Sequence, residues 1–309
     1  AIGLDAAGEK RWVWHGDRSG RYIHYISASA DWTSTGNWTF VNDYGTGGKP
    51  VKRGGPSLAY SNEENYQGQP GYWYAVGGGR HAGSNVRYVM MSASQITMNN
   101  RKFHERVTDA FIGTSNTGYA IVNKEGNTMI SPLGVTHFYK STNAQGPSTW
   151  ASQSAEVPGY EVYCMGYDPD NDRWVAGTNS GKLYHSGDEW ATLTASVSPF
   201  GTSNVWGVIY VKGSINKWVA IASNGKIAHS VDGVAFTAST LPLPMDASHH
   251  MRGIASDHTT IVAVGAVSGG DNNILTSSNG TDWTYVSSSA VGNVNFESVC
   301  CDVVGAVSN

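Results

Sequence analysis

Cysteine is scarce in this chain: Cys164, Cys300 and Cys301 are the three present in 309 residues. They show no C-x-x-C spacing, so neither a disulfide framework nor a zinc site is indicated. Neighbouring Cys300 and Cys301 point to opposite faces if they lie on a strand, which disfavours a bridge between them; buried free thiols are expected. Charge is also sparse, at 14% of residues with a formal net charge of −4. Such a balance gives no basic footprint and excludes nucleic acid as the expected partner. No apolar run nears the roughly 20 residues of a membrane-spanning helix, so no membrane insertion is expected. No G-x-S-x-G elbow, H-E-x-x-H pair or strand-to-helix glycine fingerprint occurs, and no cofactor is implied. The chain begins with Ala and no signal-peptide pattern follows, as expected of a processed chain or a piece of one.

What is abundant is glycine (38), tryptophan (11) and tyrosine (16), with many Ser, Thr and Asn. This mixture suits short strands joined by tight polar turns, and fits helical bundles poorly. A repeat organises it. RWVAGTNSGKLYHSGDEW (173–190), KWVAIASNGKIAHSVDGVAF (217–236) and IVAVGAVSGGDNNILTSSNGTDW (261–283) are successive copies. Each is preceded by a matching segment: MGYD (165–168), WGVIY (206–210) and RGIAS (252–256). Four short strands per unit and a period of about 43 residues match a propeller blade, typically 40–50 residues. IGLDAAGEKRWVWHG (2–16) echoes the unit, and the N-terminal half repeats it with longer loops. There GYWYAVGGG and VRYVMMS lead to Phe103, and AFIGTS, GYAIVN and THFYKS lead to Trp150.

The expected fold is therefore an all-β β-propeller, one domain over 1–309, with six or seven four-stranded blades. Its units fall near 1–42, 55–107, 108–157, 160–197, 204–241 and 250–290, with a partial seventh at 294–309. One twisted four-stranded sheet cannot bury both faces alone, so blades stack and cover each other. Trp and Tyr would fill the wedges between them, the Trp N–H groups meeting acceptors at blade edges.

The third-to-fourth strand turn reads Ser230-x-Asp232-Gly233-x-x-Phe236 and Ser277-x-Asn279-Gly280-x-x-Trp283. Altered copies are Ser186-x-Asp188 with Trp190, Ser29-x-Asp31 with Trp38, and Ser141-x-Asn143 with Trp150. The pattern resembles the Asp-box, or BNR-like, repeat of sialidase-type propellers. That resemblance implies a structural turn lying away from any active site, in which Ser, Asp and Gly hydrogen-bond the backbone above a packed aromatic. The low charge, abundant Gly, Ser, Thr and Asn, and degenerate aromatic-rich β repeats resemble phage tail and virion-surface propellers. Sialidases need an arginine triad, a Tyr–Glu pair and a Phe/Tyr-Arg-Ile-Pro motif; the motif is missing here, and RSGRYIHY in the first unit offers only Arg18 and Arg21. The scaffold is expected without that chemistry, and no catalytic residue is assigned.

Other candidates are weighed against architecture. His185 and His229 recur in register and read as structural. His249, His250, Asp257 and His258 suit a transition metal by type, but fall at opposite ends of one strand. Asp168, Asp170 and Asp172 have calcium-like spacing, yet Arg173 and Asn179 stand where the loop glycine and bidentate glutamate belong. No metal site is assigned. Binding is expected in irregular loops: Tyr60, Asn65 and Tyr66 within YSNEENYQGQPGYWY, and Arg80, His81 and Arg87 beside a Gly77–Gly79 turn. The function these features favour is a non-enzymatic structural or adhesive module of an extracellular or virion assembly. Its partner would be a neighbouring structural protein or a surface glycan. A glycan-processing hydrolase with Asp5 or Asp109 at a central pocket is the alternative, and an assembly-factor scaffold a further one.

Overall fold

The computed structural model describes the strand backbones named below within 1–149, with side chains there only at 137–140. Beyond that it describes 150–242, 249–267, 274–286, 296, 298 and 299. The chain divides into two compact units, 1–154 and 155–309.

Unit 1 holds three sheets of four consecutive strands. The first is β1 (Ile2–Leu4), β2 (Lys10–Arg18), β3 (Arg21–Ser27) and β4 (Trp38–Val41). The second is β5 (Ser57–Glu64), β6 (Pro70–His81), β7 (Ser84–Ser92) and β8 (Phe103–Val107). The third is β9 (Gly118–Lys124), β10 (Asn127–Pro132), β11 (His137–Ser141) and β12 (Trp150–Glu156). First strands of successive sheets meet, β1 against β5 and β5 against β9.

Three expectations change here. Tyr60 lies in strand β5 opposite Trp73, not in a loop, because SLAYSNEE pairs with the aromatic-rich GYWYA. Gly77–Gly79 run inside β6 opposite Tyr88, Arg87 and Val86. Unbroken ladder pairing from Tyr74 to His81 keeps the glycines in strand, so Gly77–Gly79 make no turn. In the third sheet GYAIVN is the first strand and NTMISP, unread as a strand, is the second; AFIGTS (110–115) lies outside the described residues.

Unit 2 repeats the meander three times. The fourth sheet is β13 (Val162–Asp168), β14 (Arg173–Thr178), β15 (Leu183–Ser186) and β16 (Thr194–Ser196). The fifth is β17 (Val205–Val211), β18 (Lys217–Ala222), β19 (Ile227–Ser230) and β20 (Thr237–Ala238). The sixth is β21 (His249–Ser256), β22 (Ile261–Val267), β23 (Ile274–Ser277) and β24 (Thr284–Tyr285).

Two buried layers explain why these β-branched and aromatic positions recur. Between the fourth and fifth sheets, Val175 and Leu183 pack with Val205, Val208, Trp218 and Phe236. Between the fifth and sixth, Val219, Ile221 and Ile227 pack with Met251, Ile261, Leu275 and Trp283. Trp174 and Trp218 are fully buried, and removing such a ring costs about 3–5 kcal/mol. The indole N–H groups of Trp174, Trp218 and Trp283, expected to meet acceptors, are buried without one. At Trp218 the reason is close packing: a Cβ on Gly233 would stand 3.0 Å from Nε1, so the N–H end lies against the glycine. Burial of the ring outweighs an orphan donor that costs about 1–3 kcal/mol.

Residues 294–309 lie mostly outside the described residues. Phe296 N–H donates to Gly265 O at 3.0 Å. A Cβ on Gly253 would meet Ser298 Cα at 2.8 Å, as one on Gly207 would meet Ile254 of the following sheet at 2.8 Å. Phe296, Ser298 and Val299 thus approach the sixth sheet where a following first strand approaches the fifth.

Candidate functional site

The two ends of these sheets are built for different tasks. At one end lies the turn between third and fourth strands. Gly233 N–H and Asp232 N–H donate to Ser230 Oγ at 3.0 and 3.3 Å, while Val234 and Ala235 N–H donate to Asp232 Oδ1 at 2.8 and 3.2 Å. The sixth sheet repeats this, with Gly280 N–H on Ser277 Oγ at 2.9 Å and Thr281 and Asp282 N–H on Asn279 Oδ1, both at 2.8 Å. Gly233 and Gly280 both take φ of +73°, in the left-handed region that favours glycine. In the fourth sheet Trp190 N–H, at φ +67°, replaces the glycine donor to Ser186 Oγ. The equivalent turns at Ser29 and Ser141 run into residues outside the described set.

The recurring histidines serve this end. His185 Nδ1 lies 2.9 Å from Ser196 Oγ, whose hydroxyl donates to Gly233 O in the next sheet at 2.9 Å. His229, Ser239 and Gly280 O repeat the arrangement at 3.1 and 3.2 Å. Since each serine proton goes to a carbonyl, the ring must supply Nδ1–H. Burial chiefly holds both histidines below their ordinary pKa, aided by Arg173 at His185 and Lys217 at His229. In the sixth sheet Thr276 and Val286 take the His and Ser places, by register and by the Val286 N–H bond to Ile274 O. The structural assignment of His185 and His229 agrees with this geometry.

The opposite end carries what sequence reading missed. In each first strand of unit 2 the ladder skips one residue, between Val162 and Cys164, Val205 and Gly207, and Met251 and Gly253. The bulged residues are Tyr163, Trp206 and Arg252. A bulge leaves one residue unpaired and re-aims its side chain. Tyr163 and Trp206, from adjacent sheets and both half-buried, stack with centroids 4.7 Å apart and planes 15° apart. Trp206 Nε1–H donates to Ser223 Oγ at 2.9 Å, and Tyr163 O–H reaches Glu161 Oε2 at 3.4 Å. Arg252, at the same register one sheet on, is exposed.

The rim around them is fixed by amides. Glu161 N–H donates to Asn179 Oδ1 at 3.0 Å and Ser180 N–H to Asn204 Oδ1 at 3.3 Å. Gly225 N–H donates to His249 O at 2.7 Å. The available sequence signal was a bulky residue just before a small one, Tyr163-Cys164, Trp206-Gly207 and Arg252-Gly253.

The remaining candidates separate. His249 and His250 begin β21 while Asp257 and His258 follow its far end. Asp168 accepts Asp170 N–H and the Asn171 amide, both at 2.9 Å, Asp170 meets Lys212 Nζ at 2.7 Å, and Asp172 accepts the Tyr167 hydroxyl at 3.0 Å. That is a hairpin turn using its own carboxylates, and among the described residues no metal-holding cluster occurs. Cys164 is buried, and burial pushes its thiol up to about 12. In unit 1, Arg80 stands opposite Asn85, His81 opposite Ser84 and Arg87 opposite Gly78. Asn65 and Tyr66 lie outside the described residues.

No protein-family model matches the chain, and no curated protein matches its sequence. Solved structures are similar in fold. An α-L-arabinofuranosidase from Fusarium graminearum, in complex with an iminosugar inhibitor, has TM-score 0.56 and 12% identity, covering 94% of this chain and 92% of its own. YCF48 from Cyanidioschyzon merolae has TM-score 0.51 and 11% identity over 83% of this chain and 76% of its own. YCF48 bound to D1 peptide has TM-score 0.54 and 13% identity over 88% and 76%. At such identities the likeness concerns the fold alone; with the sequence repeat and the consecutive four-stranded antiparallel sheets, it gives this chain a β-propeller scaffold.

Proposed function

We propose that this chain is a non-enzymatic docking propeller, which holds a partner protein across the bulge rim of unit 2. The observation that carries the reading is the series Tyr163, Trp206 and Arg252, one bulged residue per sheet. Tyr, Trp and Arg are the side chains enriched in protein-interface hot spots. Trp206 is held in advance by Ser223 and by its stack on Tyr163, so little rotamer freedom is lost on binding. A glycan is a weaker fit, because the rim amides Asn179 and Asn204 already accept backbone N–H groups. The hydrolase alternative needs two carboxylates about 5–10 Å apart; Glu161, which accepts the Tyr163 hydroxyl, stands at the rim, while Asp5 and Asp109 lie outside the described residues.

The Asp-box kinship and a place in an extracellular or virion assembly belong to this proposal. They are supported by the Ser-x-Asp/Asn-Gly turns and by the low-charge composition. The peptide-bound propeller neighbour shows that such a scaffold can hold a polypeptide. Crosslinking from a photoreactive residue at Ser180, beside the rim, tests the reading on the native particle or secreted assembly. Crosslinks to a defined protein, lost in Trp206→Ala, are expected. Turnover of a glycoside panel, abolished by Glu161→Gln, would overturn it in favour of the hydrolase.

A further inference from the structure

Beside the stacked rings of Tyr163 and Trp206 stands a carboxylate, and we propose that the docked partner segment presents an arginine to it. The guanidinium pairs with Glu161 and lies against the exposed part of the Tyr163–Trp206 stack. The inference rests on the docking reading above and adds the chemistry of the partner.

Glu161 is a fixed, half-buried acceptor without a cation. Its N–H donates to Asn179 Oδ1 at 3.0 Å and its carbonyl accepts Asn179 N–H at 2.9 Å, so the hairpin between β14 and β15 holds it in place. Among the described residues its carboxylate accepts the Tyr163 hydroxyl on Oε2 at 3.4 Å and nothing on Oε1. That bond is long for O–H···O, ordinarily about 2.5–3.0 Å. The rim lysines do not neutralise the charge. Lys226 Nζ donates to Phe200 O at 2.8 Å, and Lys182 is exposed and makes no ion pair among the described residues. Arg252 stands two sheets on and has an interaction of its own.

The rings complete a receptor for a flat cation. Tyr163 and Trp206 are half-buried, so part of their surface is open beside Glu161. Aromatic faces attract cations, indole most of all. Arginine answers both features at once, because its planar guanidinium forks onto a carboxylate and stacks on a ring; lysine offers a compact, strongly hydrated charge that does neither as well. An acidic segment would set like charge against Glu161. The carboxylate and the indole are both held before the partner arrives, Glu161 by Asn179 and Trp206 by Ser223, so little ordering opposes binding.

The test uses the full chain and four fluorescein-labelled decapeptides. They share one Gly/Ser framework with a single Leu, and carry Arg, Lys, Gln or Glu at the same three positions. Fluorescence anisotropy should show the Arg peptide binding at least ~10-fold tighter than the Gln and Glu peptides and tighter than the Lys peptide, with a preference that shrinks as salt rises. Glu161→Gln should bring the Arg peptide down to the Gln peptide. Trp206→Ala should weaken both, and Trp206→Phe, which keeps a stacked ring, should retain most binding. Thermal melts of the variants separate lost contact from lost fold. If the Gln peptide binds as tightly as the Arg peptide while Trp206→Ala still weakens both, the arginine is overturned and the docking site stands. An Arg preference that survives in Glu161→Gln belongs to the chain's net charge of −4 and overturns the proposal, as does a Lys peptide that binds as tightly as the Arg peptide. If Trp206→Ala leaves Arg-peptide binding unchanged, the docking site itself fails. No binding of the Arg peptide also overturns the proposal.

Discussion

Replacing Gly233 by alanine isolates what the turn motif contributes to unit 2. The glycine sits at φ +73°, where a side chain costs about 1–2 kcal/mol. A Cβ there would stand 2.9 Å from Val175 Cγ2 and 3.0 Å from Trp218 Nε1. Val175 and Trp218 are fully buried and cannot swing aside, so overpacking adds about 1–3 kcal/mol. A total near 3 kcal/mol lowers the melting temperature by about 6–12 °C, at roughly 2–4 °C per kcal/mol for a unit of this size. Gly187 is the control, because it has nothing within 4 Å of a built Cβ and no positive φ. Gly187→Ala should change stability by less than about 0.5 kcal/mol. Melting followed by tryptophan fluorescence reads both variants. Equal shifts for the two would refute the claim that Gly233 is required for its backbone conformation and close packing together.

Three more outcomes are expected. His185 and His229 titrate below their ordinary range, so their contribution is complete above about pH 6.5 and is lost as pH falls through the lowered folded values; the wild-type melting temperature should drop on acidification, and an unchanged acid slope in the His185→Gln/His229→Gln double variant would refute this. Ser277→Ala strips the acceptor from the Asn279 and Gly280 N–H groups; a loss of about 1–3 kcal/mol is expected in urea unfolding, and wild-type stability would count against the turn. Cys164, buried with its thiol pushed up to about 12, should resist maleimide at pH 8 until the chain is unfolded, as peptide mass mapping would show; rapid native labelling at Cys164 would contradict its burial.

The parts legible in the sequence were those written by repetition. Trp174, Trp218 and Ile261 sit opposite Ser186, Ser230 and Ser277 in the same register, and the turn chemistry of Ser, Asp or Asn, and Gly is local. The repeat likewise marked His185 and His229 as architecture. Where the N-terminal half departed from the repeat, composition misled: Tyr60 and Gly77–Gly79 sit among turn-forming residues, but their ladder partners decide for strand. The bulges were missed for another reason, since their one sequence mark, a bulky residue before a small one, is ordinary within strands. Tyr163, Trp206 and Arg252 lie within ordinary strand sequence, and only the pairing of the next strand shows that each is one residue too many.

That extra residue has a consequence for how such a molecule changes over time. A side chain inside the ladder is answerable to a neighbour on each side, so Trp218 or Val175 cannot be exchanged without repacking. The bulged position answers to no ladder partner, and the Ser-x-Asp/Asn-Gly turns that fasten the sheets lie at the far end of the strands. Three successive repeats have put phenol, indole and guanidinium into this one slot while keeping the same sheet beneath it. In the proposed docking role, the slot would let a blade acquire a new specificity without reopening the question of whether it folds.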